Sequence, residues 1–437
     1  MFDHPKPRRR PLGLTRREFL RLSAMTGVAL PSAAAILAAC GSSSEGGGGG
    51  GGGGGGETGP GGETGPGLQL ASPDNPVTLA ITDDNPPIED GLEAEEGPLR
   101  IFAYSDYIWK KVLNGFTKRT GREIEYTVFD TPEEMVAKLL SNGPDFDLVV
   151  TITIENAGKL ATGKLIQPFN ESYLPNVADQ LWPELPDFFD VGHRYTLPYT
   201  IYSTGIAWRN DLVSDDIASM DNPWDVFWDT RFAGQTHLLN GARDTLSVGL
   251  LRNGYDPSES DPAILEEVKQ QMLEGADAMN WKYDHVDYTE LSTSQWQIHN
   301  AWSGSMGYYQ YYLPKGVDIT AISYAWPPTT ASKKKGLIAQ DLFAIPTGAA
   351  HPVLAHEMIN YMYEPEIALQ NYTYESYQPP INSFDETTAV EQGYLPESLS
   401  HTIITPETMA LGVSQLELEP AVNQLYQEIY QEITGGA

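Results

Sequence analysis

An α/β protein built around a mostly parallel sheet is what this 437-residue sequence predicts. Three observations lead there. From Leu99 onward, short runs of strand character alternate with stretches of helical periodicity. About 340 residues follow position 97, which suits two domains or two lobes. Hydrophobic residues make up 41% of the chain, ordinary for a globular protein with a sizeable core.

The first 39 residues read as an export signal and are set apart from the fold. "TRREFLR" carries Arg16 and Arg17 and resembles a twin-arginine signal. The apolar run from Leu22 to Ala39 is interrupted by Ser, Thr, Gly and Pro31, which argues against a membrane span. It ends in "LAAC", Leu37 to Cys40, which resembles a bacterial lipobox. Cys40 is the only cysteine; it is the expected lipid-bearing N-terminus, and no intramolecular disulfide can form. Eleven consecutive glycines follow shortly after. Residues 40–97, rich in Gly, Ser, Glu, Pro and Asp, are predicted to form a disordered tether. "PVTLAITDD" inside it could be a short strand.

The folded part then opens with strand "RIFAY". "DYIWKKVLNGFTKRTG" places Ile108, Val112, Leu113 and Phe116 at helical spacing, with Gly121 as the stop. "EIEYTVF" alternates like a strand. "TPEEMVAKLLSNG" offers Thr131 as N-cap, proline next, and Glu134 three residues on. "FDLVVTIT" reads as a buried strand, "IENAGKLATGKL" as a helix and "IQPF" as extended. This rhythm is the source of the parallel-sheet expectation. A second block begins near Gly205. It reads as helix at "NPWDVFWDT", then strand, then helices through "ILEEVKQQMLEG". "HNAWSGSMGYYQYYLPKG" is strand then helix. After "ITAISYAWPP" and "LIAQDLFAIP", the helix in "HPVLAHEMINYMYEPEIALQNYT" breaks at Pro365. No internal repeat stands out in the folded part.

Net charge is −32. Residues 1–39 hold seven basic and two acidic groups, so the chain without them carries −37. Such a surface repels nucleic acid and anionic lipid and attracts cations, and it also suits a salty medium.

In this order the motifs resemble the bacterial polyamine (spermidine/putrescine) substrate-binding proteins of ABC importers. "FAYSDYI", "TGREIEYTVFDTPEEMVAKL", "FDLVVTIT", "RYTLPYTIYSTGIAWRND", "AWSGSMG" and "QDLFAIP" carry the likeness. The stretch "WDVFWDTRFAGQTHLLNGARDTLSVGLLRNGYDP" is the most specific. The resemblance implies a two-lobed, Venus-flytrap α/β fold with the ligand cleft between lobes. One lobe would be 98–205 plus about 340–400, the other 206–339 plus about 401–437. It implies a monomeric, extracytoplasmic binding lipoprotein, anchored to the outer face of the membrane, that hands a small cationic ligand to permease subunits.

Residue by residue, Tyr104 falls where that family has tryptophan and Tyr107 on a family tyrosine, with Asp106 between them as a further acid. Asp244 in "GARD" falls on a glutamate, and Trp302 in "AWSG" on a cleft tryptophan. Asp341 in "AQDLFAIP" falls on the carboxylate that holds an ammonium, and Tyr377 in "SYQPP" on a cleft tyrosine. Carboxylates with aromatic faces are what an ammonium-bearing chain requires. Each position has another reading: Tyr104, Trp302 and Tyr377 as core aromatics, Asp106 and Asp244 as helix caps, and Asp341 as a paired buried charge. Gly241, Ala339, Ile152 and Ile154 depart from the family's cleft residues, leaving "YYQYY" (Tyr308 to Tyr312) as a source of replacement rings. The same fold binding iron, thiamine or an amino-acid derivative, or serving a sensor, stays open.

Enzyme signatures are absent: no G-x-S-x-G, H-E-x-x-H, P-loop or dinucleotide-binding glycine motif occurs. The eight histidines have no metal-ligand spacing; His193, His237, His285 and His299 read as surface or core groups. No catalytic residue, metal or cofactor is expected.

Overall fold

The computed structural model describes residues 69–141, 145–284, 291, 295–327 and 336–435. Arg16, Arg17, Cys40 and the glycine run lie outside the described residues, as does His285.

The first elements follow the sequence rhythm. They are β1 (Leu99–Ala103), α1 (Lys110–Thr120), β2 (Ile124–Val128), α2 (Pro132–Ser141), β3 (Leu148–Thr153), α3 (Ile154–Thr162) and β4 (Ile166–Gln167). Gly121 ends α1 with φ 75°, its N–H donating to the Thr117 carbonyl. That left-handed conformation suits a residue without Cβ. Thr131 Oγ1 accepts the Glu134 N–H at 3.2 Å, and the Glu134 carboxylate accepts the Asp130 N–H at 2.9 Å. The helix start differs from a start at Tyr107: α1 begins at Lys110. Asp106 caps nothing there, because it sits in a tight turn with φ 57°.

The remaining strands are β5 (Leu197–Arg209), β6 (Thr236–Leu239), β7 (Lys282–Asp284), β8 (Ile298–Trp302), β9 (Ile322–Ala325) and β10 (Leu337–Pro346). Their order is β2-β1-β3-β10-β5-β8-β6-β7, with β4 also on β10 and β9 also on β5. The sheet is mixed rather than mostly parallel. Strand β1 runs parallel to β2 and β3, and β6 parallel to β7 and β8. The seam between these two ladders is antiparallel: β3 to β10, β10 to β5, β5 to β8. Two long strands crossing the molecule in opposite directions impose this. "NPWDVFWDT" also differs, forming 3₁₀ turns at Pro223–Trp228 and Thr230–Phe232 instead of an α-helix. Trp224, Val226 and Phe227 are all buried there, a spacing that no single α-helical face provides.

The packing is two-lobed. Strand β1 sends Leu99, Ile101 and Ala103 into one cluster with Phe116, Phe343 and Ile359, and Phe102 into another with Phe129, Leu160 and Leu342. Alternate side chains of a strand face opposite sides, so this half is apolar on both faces. The other half has its own core of Trp224, Leu246, Met272 and Tyr426. It is built by α4 (Ala242–Arg252), α5 (Pro262–Met279) and β6, closed by a late helix described below. Strand β5 joins the two cores, with Leu197 and Tyr199 in one and Ile206 and Trp208 in the other. Strand β10 does the same with Phe343 and Leu337. Late in the chain, α6 (Pro352–Met362) and α7 (Pro365–Glu375) return to the first half, and α8 (Pro420–Thr434) to the second.

The tether expectation fails over residues 69–97. Val77 and Leu79 are 6% exposed and belong to the Phe102 cluster. The Val77 N–H donates to the Phe188 carbonyl at 2.7 Å, and its carbonyl accepts the Val191 N–H at 3.0 Å. Tyr195 Oη donates to the Ala80 carbonyl, and Asn85 Nδ2 to the Ile166 carbonyl. Glu95 accepts the Val353 and Leu354 N–H groups at the start of α6, where a carboxylate satisfies otherwise unpaired donors. "SPDNP" and "TDDNP" make the same small turn ten positions apart, bridging Ser72 to Asn75 and Thr82 to Asn85. Average composition hid two apolar residues spaced to insert from one face of an extended segment. Leu79→Ala is expected to cost about 2 kcal/mol or more of unfolding free energy in denaturant titration. A loss below about 0.5 kcal/mol would show the strap to be independent of the core.

Candidate functional site

Asp341 lies mid-way along β10, opposite Thr153 on β3 and Thr200 on β5. Just beyond it the register slips on both sides. Leu342 pairs with Pro198, passing over Tyr199; Phe343 pairs with Val150 while Leu342 pairs with Ile152, passing over Thr151. Thr151 takes φ 88° and is fully buried, a conformation costly for a β-branched residue. Bulges at two successive rungs re-aim side chains, a recurrent feature beside binding sites.

The Asp341 carboxylate is 4% exposed. The Tyr107 hydroxyl donates to its Oδ2. Tyr202 Oη donates to its Oδ1 at 3.3 Å, and Thr200 Oγ1 lies 2.9 Å from Tyr107 Oη. Among the described residues no lysine or arginine pairs with it. Burial pushes its carboxyl up to about 6, against the pull of the Tyr107, Tyr202 and Thr200 hydroxyls; the charge of Glu155 adds to the rise. Tyr107 and Tyr202 are held well above the usual tyrosine range by burial and then by Asp341 itself.

Rings surround the carboxylate. Tyr377 packs edge-on against Tyr107 (5.5 Å between centroids) and Tyr202 (5.3 Å). Tyr104 meets Tyr107 at 6.0 Å, and Trp302 meets Tyr202 at 6.5 Å. Gly304 makes room for this, since a Cβ there would sit 2.4 Å from the Tyr377 ring. Tyr104, Tyr107, Trp302, Asp341 and Tyr377 are therefore brought together. Tyr104 also leans on Phe129 and belongs partly to the core.

The other two acids lie further out. Asp244 is in the first turn of α4, whose N-cap is Gly241, so it is not the cap. It is half-buried, and its charge reaches Tyr202 and Tyr430. Asp106 is exposed and acts on Tyr374 and Tyr312 rather than on Asp341. The rings of "YYQYY" pack mainly among themselves and their own neighbours. Tyr309 is fully buried, while Tyr308, Tyr311 and Tyr312 cluster with one another, and Tyr308 meets Tyr374.

The departures also find a physical reading. Ile152 and Ile154 are buried in the Phe102 cluster, so they fill core rather than cleft. Gly241 has φ 146°, and a Cβ there would touch the Asp244 carboxylate at 3.4 Å. Ala339 stands opposite Tyr202 in the β10–β5 ladder, and Tyr202 presents an aromatic ring beside it. Tyr202, Thr200 and Glu375 escaped the sequence reading. Thr200 and Tyr202 share one face of β5 by strand alternation, but only the pairing of β5 with β10 shows that this face carries Asp341. Glu375 is 5% exposed, at the end of α7, and burial holds it well above the usual carboxylate range.

No group of three or more His, Cys, Asp or Glu among the described residues is arranged to hold a metal ion. Among them, no helix is long and apolar enough to cross a membrane.

A model of the family described as bacterial extracellular solute-binding protein matches residues 111–394, well over half of the chain. The chain belongs to that family. This solute-binding protein is 27% identical over 349 residues to the spermidine/putrescine-binding periplasmic protein of Escherichia coli, covering 78% of this chain and 93% of that one. Its fold matches a putative spermidine/putrescine ABC transporter from Listeria monocytogenes with a TM-score of 0.66, at 23% identity over 78% of this chain and all of that one. It also matches a lipoprotein of Treponema pallidum with a TM-score of 0.63, at 17% identity, covering 77% and 98%. As a member of this family the solute-binding protein is a binding protein of transport, not an enzyme.

The Asp341 assignment has a pH signature. The folded protein keeps this proton to about pH 6, whereas an unfolded aspartate releases it near 3.8. The stabilisation is thus complete below 3.8 and lost as pH rises through 6, at most about 3 kcal/mol. The stability of the wild type relative to Asp341→Asn is expected to fall between pH 4 and 6.5. A flat difference would contradict a buried, unpaired carboxylate.

Proposed function

We propose that this solute-binding protein takes a polyamine of the spermidine/putrescine class, held by at least one ammonium on Asp341, and delivers it to an ABC permease. One observation carries the reading: a buried carboxylate that has aromatic walls and hydroxyl donors but, among the described residues, no cation paired with it. Burying such a charge is expensive unless it is compensated. An ammonium from outside compensates it with charge-assisted hydrogen bonds, while Tyr104, Trp302 and Tyr377 receive the methylene chain and its charges. The names of the relatives point the same way. Asp244, from the other half of the molecule, would meet the far end of the ligand, which is how a ligand stabilises a closed state.

Thermal unfolding with spermidine, putrescine and a panel of other small cations and anions tests this. Saturation at a hundred times the dissociation constant is expected to add about 2.7 kcal/mol of stability for the polyamines. In calorimetric titration Asp341→Asn is expected to weaken polyamine binding by about a hundredfold. Stabilisation only by a solute without an amine would replace the ligand class while leaving the family unchanged.

Anchoring belongs to the same proposal. Cys40 would bear the lipid after a twin-arginine signal containing Arg16 and Arg17, leaving a monomeric binding protein tethered to the outer face of the membrane. Cys40→Ser is expected to move the exported protein from the membrane to the soluble fraction. Unchanged membrane association would sink the lipid assignment.

A further inference from the structure

Behind the site, two hydrogen-bond donors converge on one buried side chain. The Tyr377 N–H meets Glu375 Oε2 at 3.2 Å, and Asn371 Nδ2 meets Glu375 Oε1 at 3.3 Å. Asn371 is itself committed on every side. Its Oδ1 accepts the Trp109 N–H at 2.8 Å, and its Nδ2 also donates to Tyr199 Oη at 2.8 Å. Tyr199 Oη in turn donates to the Tyr107 carbonyl at 2.5 Å. One branch from Glu375 therefore ends on the backbone of Tyr377, and the other on the backbone of Tyr107 and of Trp109 two residues on. Tyr107 donates to Asp341, and Tyr377 packs on both tyrosines that do so.

We propose that Glu375 is a positioning residue of the ligand site, fixing the spacing of the Tyr107 and Tyr377 rings about Asp341. The inference rests on the binding role proposed above. The ionised carboxylate presents acceptors to both donors at once, and these two bonds pull against the burial that favours its neutral form. Glutamine offers one acceptor and one NH2, so one of the two donors would face a donor. Asn371 cannot resolve the conflict by flipping, because Trp109 needs its oxygen and Tyr199 its nitrogen. Aspartate lacks the reach for both contacts.

The test uses the purified full chain and has one readout free of ligand. The carboxyl-carbon NMR signal of Asp341, assigned by its loss in Asp341→Asn, is followed against pH in wild type and Glu375→Gln. The groups acting on Asp341 are Tyr107, Tyr202, Thr200 and Glu155, with Glu375 coupled to it. If Glu375 positions Tyr107, its replacement draws that hydroxyl off Asp341 and the midpoint moves up. A midpoint that moves down would mark Glu375 as a neighbouring charge only, and an unmoved one would deny the coupling; either overturns the proposal. Spermidine and putrescine titrations then complete the comparison, with Tyr426→Phe as a control. That change removes a part-buried hydrogen bond to the Glu259 carbonyl in the far half. Glu375→Gln is expected to weaken binding at least tenfold where the control leaves it unchanged. Equal loss in both variants would reduce Glu375 to general stability. Failure of the wild type to bind any amine would overturn the ligand reading alone, since the Asp341 midpoint is read without ligand.

Discussion

The structure turns on keeping one carboxylate buried with no lysine or arginine among the described residues paired to it. Asp341 sits on β10, one of the two middle strands of the sheet order, with strands on both sides. Its satisfaction by tyrosine hydroxyls is a choice with consequences. A hydroxyl supplies a hydrogen bond but no charge, so the carboxylate is solvated in part and never neutralised. An arginine in the same place would have closed the account within the protein. Neutral donors leave the electrostatic demand standing, and the proton or a ligand cation must meet it.

The crossing strands explain why this demand arises where it does. β5 and β10 each contribute to both cores, and they lie side by side. A residue at their middle is near both halves of the molecule. The slips at Tyr199 and Thr151 interrupt the ladder at two successive rungs, and regular pairing would send successive side chains to alternate faces without exception. Tyr199 then turns its hydroxyl to the Tyr107 carbonyl. The local irregularity and the site are thus one feature seen at two levels, backbone and side chain.

Much of the first half was legible because its signals are local. Gly121 stops a helix wherever it occurs after a helical run, and Thr131 with Glu134 caps one by contacts within four residues. Asp341 was legible as an anomaly, a charge inside an apolar run. The rest depends on partners distant in sequence. The strap at 69–97 looks polar, and only Phe188, Ile166 and Val353, far along the chain, show what it packs on. Tyr202 acquires its meaning from a register with β10 that no window of β5 encodes. Glu375 looks like an ordinary helix-end acid until Asn371 and Tyr377 are seen to enclose it. The mostly parallel expectation failed for the same reason: alternating strands and helices predict each ladder, but not the seam that joins them.

The chain's overall acidity and the buried carboxylate of Asp341 act at different ranges, and both favour the same ligand sign. At −32 the whole molecule attracts cations, yet exposed charges are screened by salt over about 8–10 Å. Surface acidity can therefore raise the rate of encounter without selecting among cations. Selection requires contacts that water does not replace, which in the proposed site would come from the partly buried rings of Tyr104, Trp302 and Tyr377 with Asp341. A small inorganic cation entering that site would gain the carboxylate and leave the aromatic faces unused. An organic ammonium uses both, because its charge meets the carboxylate while its carbon chain covers the rings. In the proposed reading the steering would belong to the surface and the discrimination to the site around Asp341, and only the second depends on where each residue sits.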